Sequence, residues 1–282
     1  SLNRQHITLF LNLLLICKKV LETNKRTRSP KLKISELRKY RANMTKVPCG
    51  NKELDEMLGG GIELEALTEV YGAFASGKTQ FCYSTLVEAM FKHKWKAVWI
   101  DCEDTFDPER LHQIIKARGY ADDMSVDEID EFIDQNLQYT HTPNTDTVVE
   151  EVQNLSAKLV EDESIKLIII DGATGQFREE YLGRGTLASR QQNLAKFMGV
   201  LKNSAYFFNV AVLMTNQVLT NPAQQYGDPI VPVGGHIVGH ASTYRLYFKK
   251  AGKKRYATAI DSPKQAVFDC EFVLTDKGID NP

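Results

Sequence analysis

The most constraining feature of the chain is a glycine-rich loop at residues 72–79, with the sequence GAFASGKT. It lies between an apolar run, Leu67–Tyr71, that predicts a strand and a run, Gln80–Phe91, that predicts a helix. In such a loop successive backbone N–H groups turn inward around phosphates, and the following helix adds its positive dipole. The sequence therefore predicts a nucleotide-binding protein in which Lys78 contacts the β- and γ-phosphates and Thr79 holds Mg²⁺.

Strand-like and helix-like runs alternate after this loop. The predicted strands are Ala97–Glu103, Gln138–Thr142, Lys166–Asp171 and Val210–Val218, and the predicted helices are Pro108–Arg118, Val126–Gln135, Thr147–Glu161 and Leu187–Asn209. The end of the chain is rich in strands, at Ser242–Lys249, Tyr256–Asp261 and Cys270–Leu274. This order predicts an α/β fold with a mostly parallel, twisted sheet, helices on both faces and an antiparallel extension at one edge.

The region before the loop divides into two segments. Apolar residues between Leu9 and Leu21 recur at three- and four-residue steps, which predicts a helix in residues 1–24 that packs on its own domain or on another copy. Its apolar run is too short to cross a bilayer. Residues 25–46 form a basic linker with one short helical stretch, Ile34–Arg41, and the globular core is predicted to occupy residues 47–282.

Charge is segregated along the chain although the net charge is only −1. Residues 1–50 carry twelve Lys and Arg against two Asp and Glu, whereas residues 101–180 carry six against twenty-one. A basic arm on an acidic body indicates contact with an anionic polymer or between copies, although two solvated faces would give the same pattern. The five cysteines are widely spaced and contain no Cys-x-x-Cys pair, so we expect neither a disulfide framework nor a zinc site. This cysteine usage fits a reducing, intracellular setting.

Carboxylates follow two of the predicted strands. Asp171 ends an apolar strand, where it can orient water on the Mg²⁺ ion that Thr79 holds. Asp101, Glu103 and Asp104 end another strand at the same edge of the sheet, and one of them is expected to polarise the water that attacks the γ-phosphate. Their spacing does not choose among the three.

Other polar segments are candidate binding elements. Asn216 and Gln217 follow a strand, where an amide either binds a phosphate or caps a loop, and residues 219–235 form a long irregular stretch of the kind that is usually functional. Residues 177–185 combine arginines, aromatic residues and glycines in a predicted loop suited to single-stranded nucleic acid. Residues 245–255 contain six basic residues and no acid on a predicted edge strand, where such charge also prevents aggregation.

Several ordered motifs resemble the RecA/RadA strand-exchange recombinases over residues 46–279. They are Leu58–Glu63, the phosphate loop with Gln80, Ile100–Phe106 with Pro108–Arg110, Phe177–Arg178 with Gly183–Gly185 and Arg190–Gln192, Thr215–Val218, Gly234–Ile237 with His240–Ala241, and Asp261–Pro263. The resemblance implies a RecA-like ATPase core that binds ATP with Mg²⁺, binds single- and double-stranded DNA, and assembles with copies of itself into a filament or ring.

The resemblance also implies a role for individual residues. Glu103 is expected to be the catalytic glutamate, Gln217 the switch that senses the γ-phosphate, and Arg110 the side chain that stacks on adenine. The segments 176–185 and 219–235 become two DNA-binding loops, and His240 with Asp261–Pro263 is expected to contact ATP bound by a neighbouring subunit.

The implied catalytic residues are Glu103, Lys78 and Gln217. The implied nucleotide-binding residues are Gly72, Ala73, Phe74, Ala75, Ser76, Gly77, Lys78, Thr79, Gln80, Arg110, Asp171, His240, Asp261, Ser262 and Pro263. The implied DNA-binding residues are Arg178, Tyr181, Arg184, Arg190, Gly234 and Gly235.

The chain departs from the family pattern at several positions. Ala75 replaces a glycine of the phosphate loop, where a Cβ is expected to strain the turn and slow turnover. Residues 172–175 replace a polar segment, and the segment after Pro263 is short. Only the last helix of the family's N-terminal helix-hairpin-helix domain has a counterpart, and residues 32–35 offer the nearest match to its polymerisation element.

Three functions fit these features to different degrees. The first is an ATP-dependent recombinase that forms filaments on single-stranded DNA, and the second is a paralogue that binds ATP and a recombinase partner but exchanges no strands. The third, a ring-shaped motor of the same fold, matches the DNA loops and the Asp261–Pro263 segment less well. The presence of both candidate DNA loops favours the recombinase.

Overall fold

The computed structural model describes residues 33–179, 187–220, 230–263 and 269–282, and the description that follows concerns those residues. Their helices are α1 Ile34–Ala42, α2 Lys52–Met57, α3 Lys78–Phe91, α4 Pro108–Ala117, α5 Val126–Asn136, α6 Thr145–Glu161, α7 Ala173–Glu179, α8 Leu187–Phe208 and α9 Gly235–Ala241. Their strands are β1 Lys46–Val47, β2 Ile62–Glu63, β3 Leu67–Gly72, β4 Lys96–Asp101, β5 Leu137–His141, β6 Ile165–Asp171, β7 Ala211–Asn216, β8 Val218–Thr220, β9 Ile230–Pro232, β10 Tyr244–Ala251, β11 Lys254–Asp261, β12 Asp269–Thr275 and β13 Gly278–Asp280. The predicted linker helix and each predicted core helix lie within two residues of their observed bounds.

The central sheet has the strand order β13-β12-β11-β10-β3-β7-β6-β4-β5. Strands β10, β3, β7, β6, β4 and β5 run parallel, whereas β11, β12 and β13 add an antiparallel extension at one edge. This arrangement confirms the predicted fold class. Parallel strands need crossover connections, and the helices that supply them cover the sheet.

Alternate side chains of the parallel strands enter two separate cores. In β4, Trp99 packs toward α3, α4 and α5, whereas Val98 and Ile100 pack toward α6, α7, α8 and α9. Strand β6 divides in the same way, with Ile169 on the first face and Ile170 on the second. Because both faces of these strands are buried, their sequences are continuous apolar runs rather than alternating ones.

Local capping sets the helix boundaries near the site. Helix α4 begins where the Asp107 side chain accepts a hydrogen bond from the Glu109 N–H, with proline at the first helical position. Helix α5 begins with a capping box in which Ser125 and Glu128 exchange side-chain and backbone hydrogen bonds. Each helix therefore starts at a residue that the sequence marks.

Three expectations about local structure are wrong. Residues 177–179 are helical rather than loop, because Phe177 is buried against Phe197 with ring centroids 5.2 Å apart. The strand predicted to run from Val210 to Val218 ends at Asn216, and β8 then pairs with β9 to form a short antiparallel ladder inside the predicted second loop. The basic segment 245–255 does not lie on an edge strand, because β10 pairs with β3 on one side and with β11 on the other.

Within the described residues, no helix is both long and apolar enough to cross a bilayer.

Candidate functional site

The phosphate loop leaves the end of β3 and enters α3, as predicted. The ends of β3 and β10 approach each other so closely here that a Cβ on Gly72 would lie 2.2 Å from the Phe248 carbonyl oxygen. Lys78 Nζ donates to the carbonyl oxygens of Gly72 and Ala73, at 3.0 and 3.1 Å. Its ammonium group therefore lies across the loop, where it can meet the phosphates of a nucleotide.

Ala75 adopts the left-handed backbone conformation that the loop requires. Its φ is +58°, in the region that residues with a Cβ rarely adopt. The neighbouring Phe74 side chain is 96% exposed, so the tip of the loop gains little packing to offset this strain. The sequence-based expectation of strain at Ala75 is confirmed, whereas its effect on turnover stays a prediction.

Asp171 and Thr79 have the chemistry of a Mg²⁺ site. Asp171 is 1% exposed, and its Oδ1 accepts a hydrogen bond from the Thr215 hydroxyl, which in turn accepts one from the Gly172 N–H at 2.9 Å. The other oxygen, Oδ2, is buried without a hydrogen-bond partner among the described residues. A buried acceptor beside the Thr79 hydroxyl fits a water molecule on a hydrated Mg²⁺ ion, because that ion retains most of its waters.

Burial raises the pKa of the Asp171 carboxyl from 3.8 to about 6, while the nearby hydroxyls of Thr215 and Thr79 act in the opposite direction. Burial also lowers the pKa of Lys78, and the negative charges of Glu103 and Asp171 partly oppose this shift. Both groups are thus charged at a desolvation cost, which a nucleotide and its cation would reduce by supplying opposite charge.

The three carboxylates at the end of β4, Asp101, Glu103 and Asp104, differ in their surroundings. Asp101 is occupied in the turn, where it accepts hydrogen bonds from the backbone N–H groups of Glu103, Thr105 and Phe106 at 2.9 to 3.0 Å. The Asp104 side chain is 82% exposed and lies 3.8 Å from His141. Glu103 instead accepts a hydrogen bond from Gln217, and its negative charge opposes the lowering of the Lys78 pKa by burial, so this arrangement favours it over the other two as the catalytic candidate.

Gln217 connects Glu103 to the second candidate DNA loop. Its Nε2 donates to Glu103 Oε1 at 2.8 Å, and its carbonyl oxygen accepts a hydrogen bond from the Val233 N–H at 3.0 Å. Gly172 makes this approach possible, because a Cβ there would lie 2.3 Å from Glu103 Cγ. The departure from the family pattern at Gly172 therefore has a steric reason in this chain.

Arg110 and Gln80 lie together beside the phosphate loop. Arg110 Nε donates to Gln80 Oε1 at 2.8 Å, and its Nη2 donates to the Thr275 carbonyl oxygen at 2.6 Å. These bonds hold the guanidinium plane between α3, α4 and the end of β12, a position suited to stacking on a base.

The predicted DNA-binding residues fall in different parts of the structure. Gly234, with φ +85°, precedes α9, and Gly235, with φ +51°, is the first residue of that helix. Arg178 lies in α7 and Arg190 in α8, whereas Tyr181 and Arg184 lie outside the described residues. The predicted first loop is anchored rather than loose at its start, since the buried Gln176 amide donates to the Cys102 carbonyl oxygen at 3.1 Å.

His240 and the segment Asp261–Pro263 lie at the opposite edge of the sheet from the phosphate loop. Thr243, which follows α9, donates its N–H to the Leu67 carbonyl oxygen at the start of β3. Asp261 pairs with Arg245 near the start of β10, whereas Gly72 pairs with Phe248 farther along that strand. The structure thus does not bring these residues to the chain's own nucleotide site.

Two buried side chains near the site, Thr215 and Glu69, carry little signal in the sequence. The Thr215 hydroxyl donates a hydrogen bond to Asp171 and so orients its carboxylate. In the sequence, this role is indicated only by a hydroxyl residue near the end of an apolar strand. Glu69 lies inside β3 and is fully buried. In the sequence, Glu69 stands out as the single charged residue of a strand whose other residues are apolar or carry a hydroxyl group.

Comparison with known proteins identifies the family. Residues 40–282 match the Rad51 family model. The chain belongs to the Rad51 family. This finding confirms the resemblance on which the residue assignments depend and the RecA-like character of the fold.

Two relatives within the Rad51 family match most of the chain. The chain is 44% identical over 252 residues to the DNA repair and recombination protein RadA of Cenarchaeum symbiosum (strain A), covering 87% of this chain and 61% of that protein. It is 40% identical over 261 residues to RadA of Ignicoccus hospitalis, covering 88% of this chain and 76% of that protein. The chain thus spans less than two thirds of the first relative's length.

Ala75→Gly is predicted to stabilise this Rad51-family chain by about 1 kcal/mol, because glycine adopts the positive φ without strain. The matched control is Ala73→Gly in the same loop, where φ is not positive and the change is expected to cost about 0.5 to 1 kcal/mol. Urea unfolding measures both. Equal destabilisation by the two substitutions would contradict the strain at Ala75.

Asp171→Asn is predicted to stabilise the nucleotide-free protein at pH 8 by on the order of 2 kcal/mol and to abolish Mg²⁺-dependent nucleotide binding. The pKa of Asp171 in the folded protein, about 6, lies above the ordinary value of 3.8. The buried charge therefore destabilises the native state most fully at pH values above about 6. The stability of the wild type relative to the variant therefore rises as the pH falls from about 7 to about 4. The measurement is urea unfolding of both proteins between about pH 7 and about pH 4. A constant difference between their free energies of unfolding would refute the buried charge at Asp171.

Proposed function

We propose that this chain is an ATP-dependent DNA recombinase, which assembles on single-stranded DNA and exchanges strands with a homologous duplex. Membership of the Rad51 family and the names of the two relatives support recombination and repair as the general role. Those names do not favour the alternative of a regulator without strand exchange.

The observation that carries the proposal is the position of Gln217. Its side chain bonds Glu103, which faces the site of nucleotide hydrolysis, and its backbone bonds Val233 at the base of the second DNA loop. A γ-phosphate that drew the Gln217 amide away from Glu103 would shift this backbone link. A ligand shifts a conformational equilibrium only by the difference between its binding free energies for the two states. Gain or loss of the hydrogen bond between Gln217 and Glu103 would supply such a difference.

Each residue of the site then has a chemical role. Lys78 neutralises charge on the β- and γ-phosphates, and Thr79 with Asp171 would hold Mg²⁺ and its water. Bound Mg²⁺ would supply charge neutralisation at the phosphate oxygens during hydrolysis. Glu103 would accept the proton of the attacking water, and Arg110 would stack on the adenine base.

The nucleotide is proposed to be shared between two copies. His240 and Asp261–Pro263 lie at the opposite edge of the sheet from the phosphate loop, so they can meet a nucleotide only when a second copy presents it. A surface that contacts a different surface on the next copy produces a filament or a ring. ATP would accordingly join neighbours and order the DNA-binding loops until hydrolysis releases both.

The test of assembly is electron microscopy of the protein on single-stranded DNA with a slowly hydrolysed ATP analogue. Helical filaments are expected. Monomers or closed rings alone would contradict the proposal.

Lys78→Ala is predicted to abolish nucleotide-dependent assembly, since it removes the cation that meets the phosphates. Lys116→Ala, which removes an exposed positive charge from α4, is the matched control and should assemble like the wild type. Light scattering with and without the analogue gives the measurement. Assembly of the Lys78 variant at wild-type levels would refute the role of ATP between neighbours.

A further inference from the structure

A buried carboxylate lies in the strand that leads to the phosphate loop. Glu69 is in β3, three residues before Gly72, and its exposed fraction is 0%. Alternation along β3 places it on the same face as Leu67, toward the core formed with α6, α7, α8 and α9. This face carries the candidate DNA-binding elements, whereas α3 covers the other face.

Both oxygens of Glu69 accept hydrogen bonds from neighbouring strands. Oε1 accepts from Asn216 Nδ2 of β7 at 2.6 Å, and Oε2 accepts from Arg245 Nε of β10 at 2.7 Å. A buried carboxylate is costly unless it is paired and hydrogen-bonded. Glu69, Asn216 and Arg245, which we name the polar bridge, satisfy that requirement across three adjacent strands.

Asn216 extends the polar bridge to both candidate DNA loops. Its Nδ2 also donates to the Val233 carbonyl oxygen at 2.8 Å, beside the turn into α9. Its Oδ1 accepts a hydrogen bond from the buried Thr174 hydroxyl of α7, the helix that leads to the first loop. One side chain therefore fixes the stems of two segments that are far apart in sequence.

Arg245 extends the polar bridge to α9. Its guanidinium carbon lies 5.4 Å from the centre of the Tyr71 ring, so the group stacks beside the end of β3. On its other side it touches α9, because a Cβ on Gly239 would lie only 3.0 Å from Arg245 Nη1. Helix α9 carries His240, which is predicted to meet the neighbour's nucleotide.

We propose that Glu69 is a positioning residue that couples the nucleotide site to the DNA-binding elements. It holds α7, the turn into α9, and α9 itself in one register relative to β3, whose end forms the phosphate loop. A shift of the Gln217 amide moves the second loop only if the surrounding stems stay fixed. The inference depends on the proposed function and names residues through which that function is regulated.

The test is Glu69→Gln, which keeps the shape of the side chain but removes the charge that pairs with Arg245. Glu88→Gln is the matched control, because Glu88 is also a buried carboxylate paired with an arginine, Arg118, at 2.6 Å. Glu88 lies in α3, on the other face of the sheet. Both variants are expected to lower the melting temperature.

The deciding quantity is the factor by which a slowly hydrolysed ATP analogue strengthens binding to a labelled single-stranded oligonucleotide. Glu69→Gln is expected to reduce this factor about tenfold or more, while nucleotide affinity without DNA changes less than about threefold. The Glu88 variant should keep the wild-type factor. Full coupling in the Glu69 variant, or equal loss in both variants, would overturn the inference.

A second variant keeps the test open if Glu69→Gln fails to fold. Thr174→Val removes only the hydroxyl that donates to Asn216, and it is expected to lower the coupling factor about threefold. Its control is Thr85→Val, a buried threonine of α3 whose hydroxyl has no hydrogen-bond partner among the described residues. Unchanged coupling in the Thr174 variant would also overturn the inference.

The wild-type protein separates this inference from the proposed function. If the analogue does not strengthen DNA binding by the wild type, the proposed function fails and the inference fails with it. If the wild type is coupled and the variants are equally coupled, only the role of Glu69 is refuted.

Discussion

The parallel register of four buried strands is the constraint on which the site depends. Asp101 pairs with Asp171 across β4 and β6, and Asn216 of β7 pairs with Tyr71, next to Gly72 at the end of β3. Parallel strands end together, so the polar residues that end three of these strands meet the phosphate loop that follows the fourth at one edge. The apolar cores on both faces hold this register, because a slip by one residue would turn each core side chain to the other face.

The site is built from carboxylates that the interior disfavours. Burial raises the pKa of Asp171, and Glu69 lies inside the sheet with each oxygen paired to a different strand. Ala75 adds backbone strain at the loop itself. Under the proposed function, a nucleotide and its cation would satisfy groups that cost stability in the isolated protein. Binding free energy would then be linked to loop position.

The sequence predicts the fold well because its signals are local. Apolar runs and caps place the strands and helices, and the glycine-rich loop identifies the nucleotide site without tertiary information. The choice of Glu103 over Asp101 depended on the family resemblance. Asp101 is distinguished by the three backbone hydrogen bonds that it accepts, which residue spacing does not reveal. The helical start of the first loop and the buried pairing of Glu69 are not predictable from local sequence, because the contact of Phe177 with Phe197 and the hydrogen bond between Glu69 and Asn216 join distant parts of the chain.

The central claim is that each nucleotide is completed by a neighbouring copy, and mixing two inactive proteins tests it most directly. Lys78→Ala lacks a working phosphate loop but retains the opposite edge, whereas His240→Ala combined with Asp261→Ala has the reverse defect. In a one-to-one mixture the intact phosphate loop of the second protein can meet the intact opposite edge of the first, so DNA-dependent ATP hydrolysis should rise well above that of either variant alone. Hydrolysis no greater than that of the separate variants would contradict a shared site.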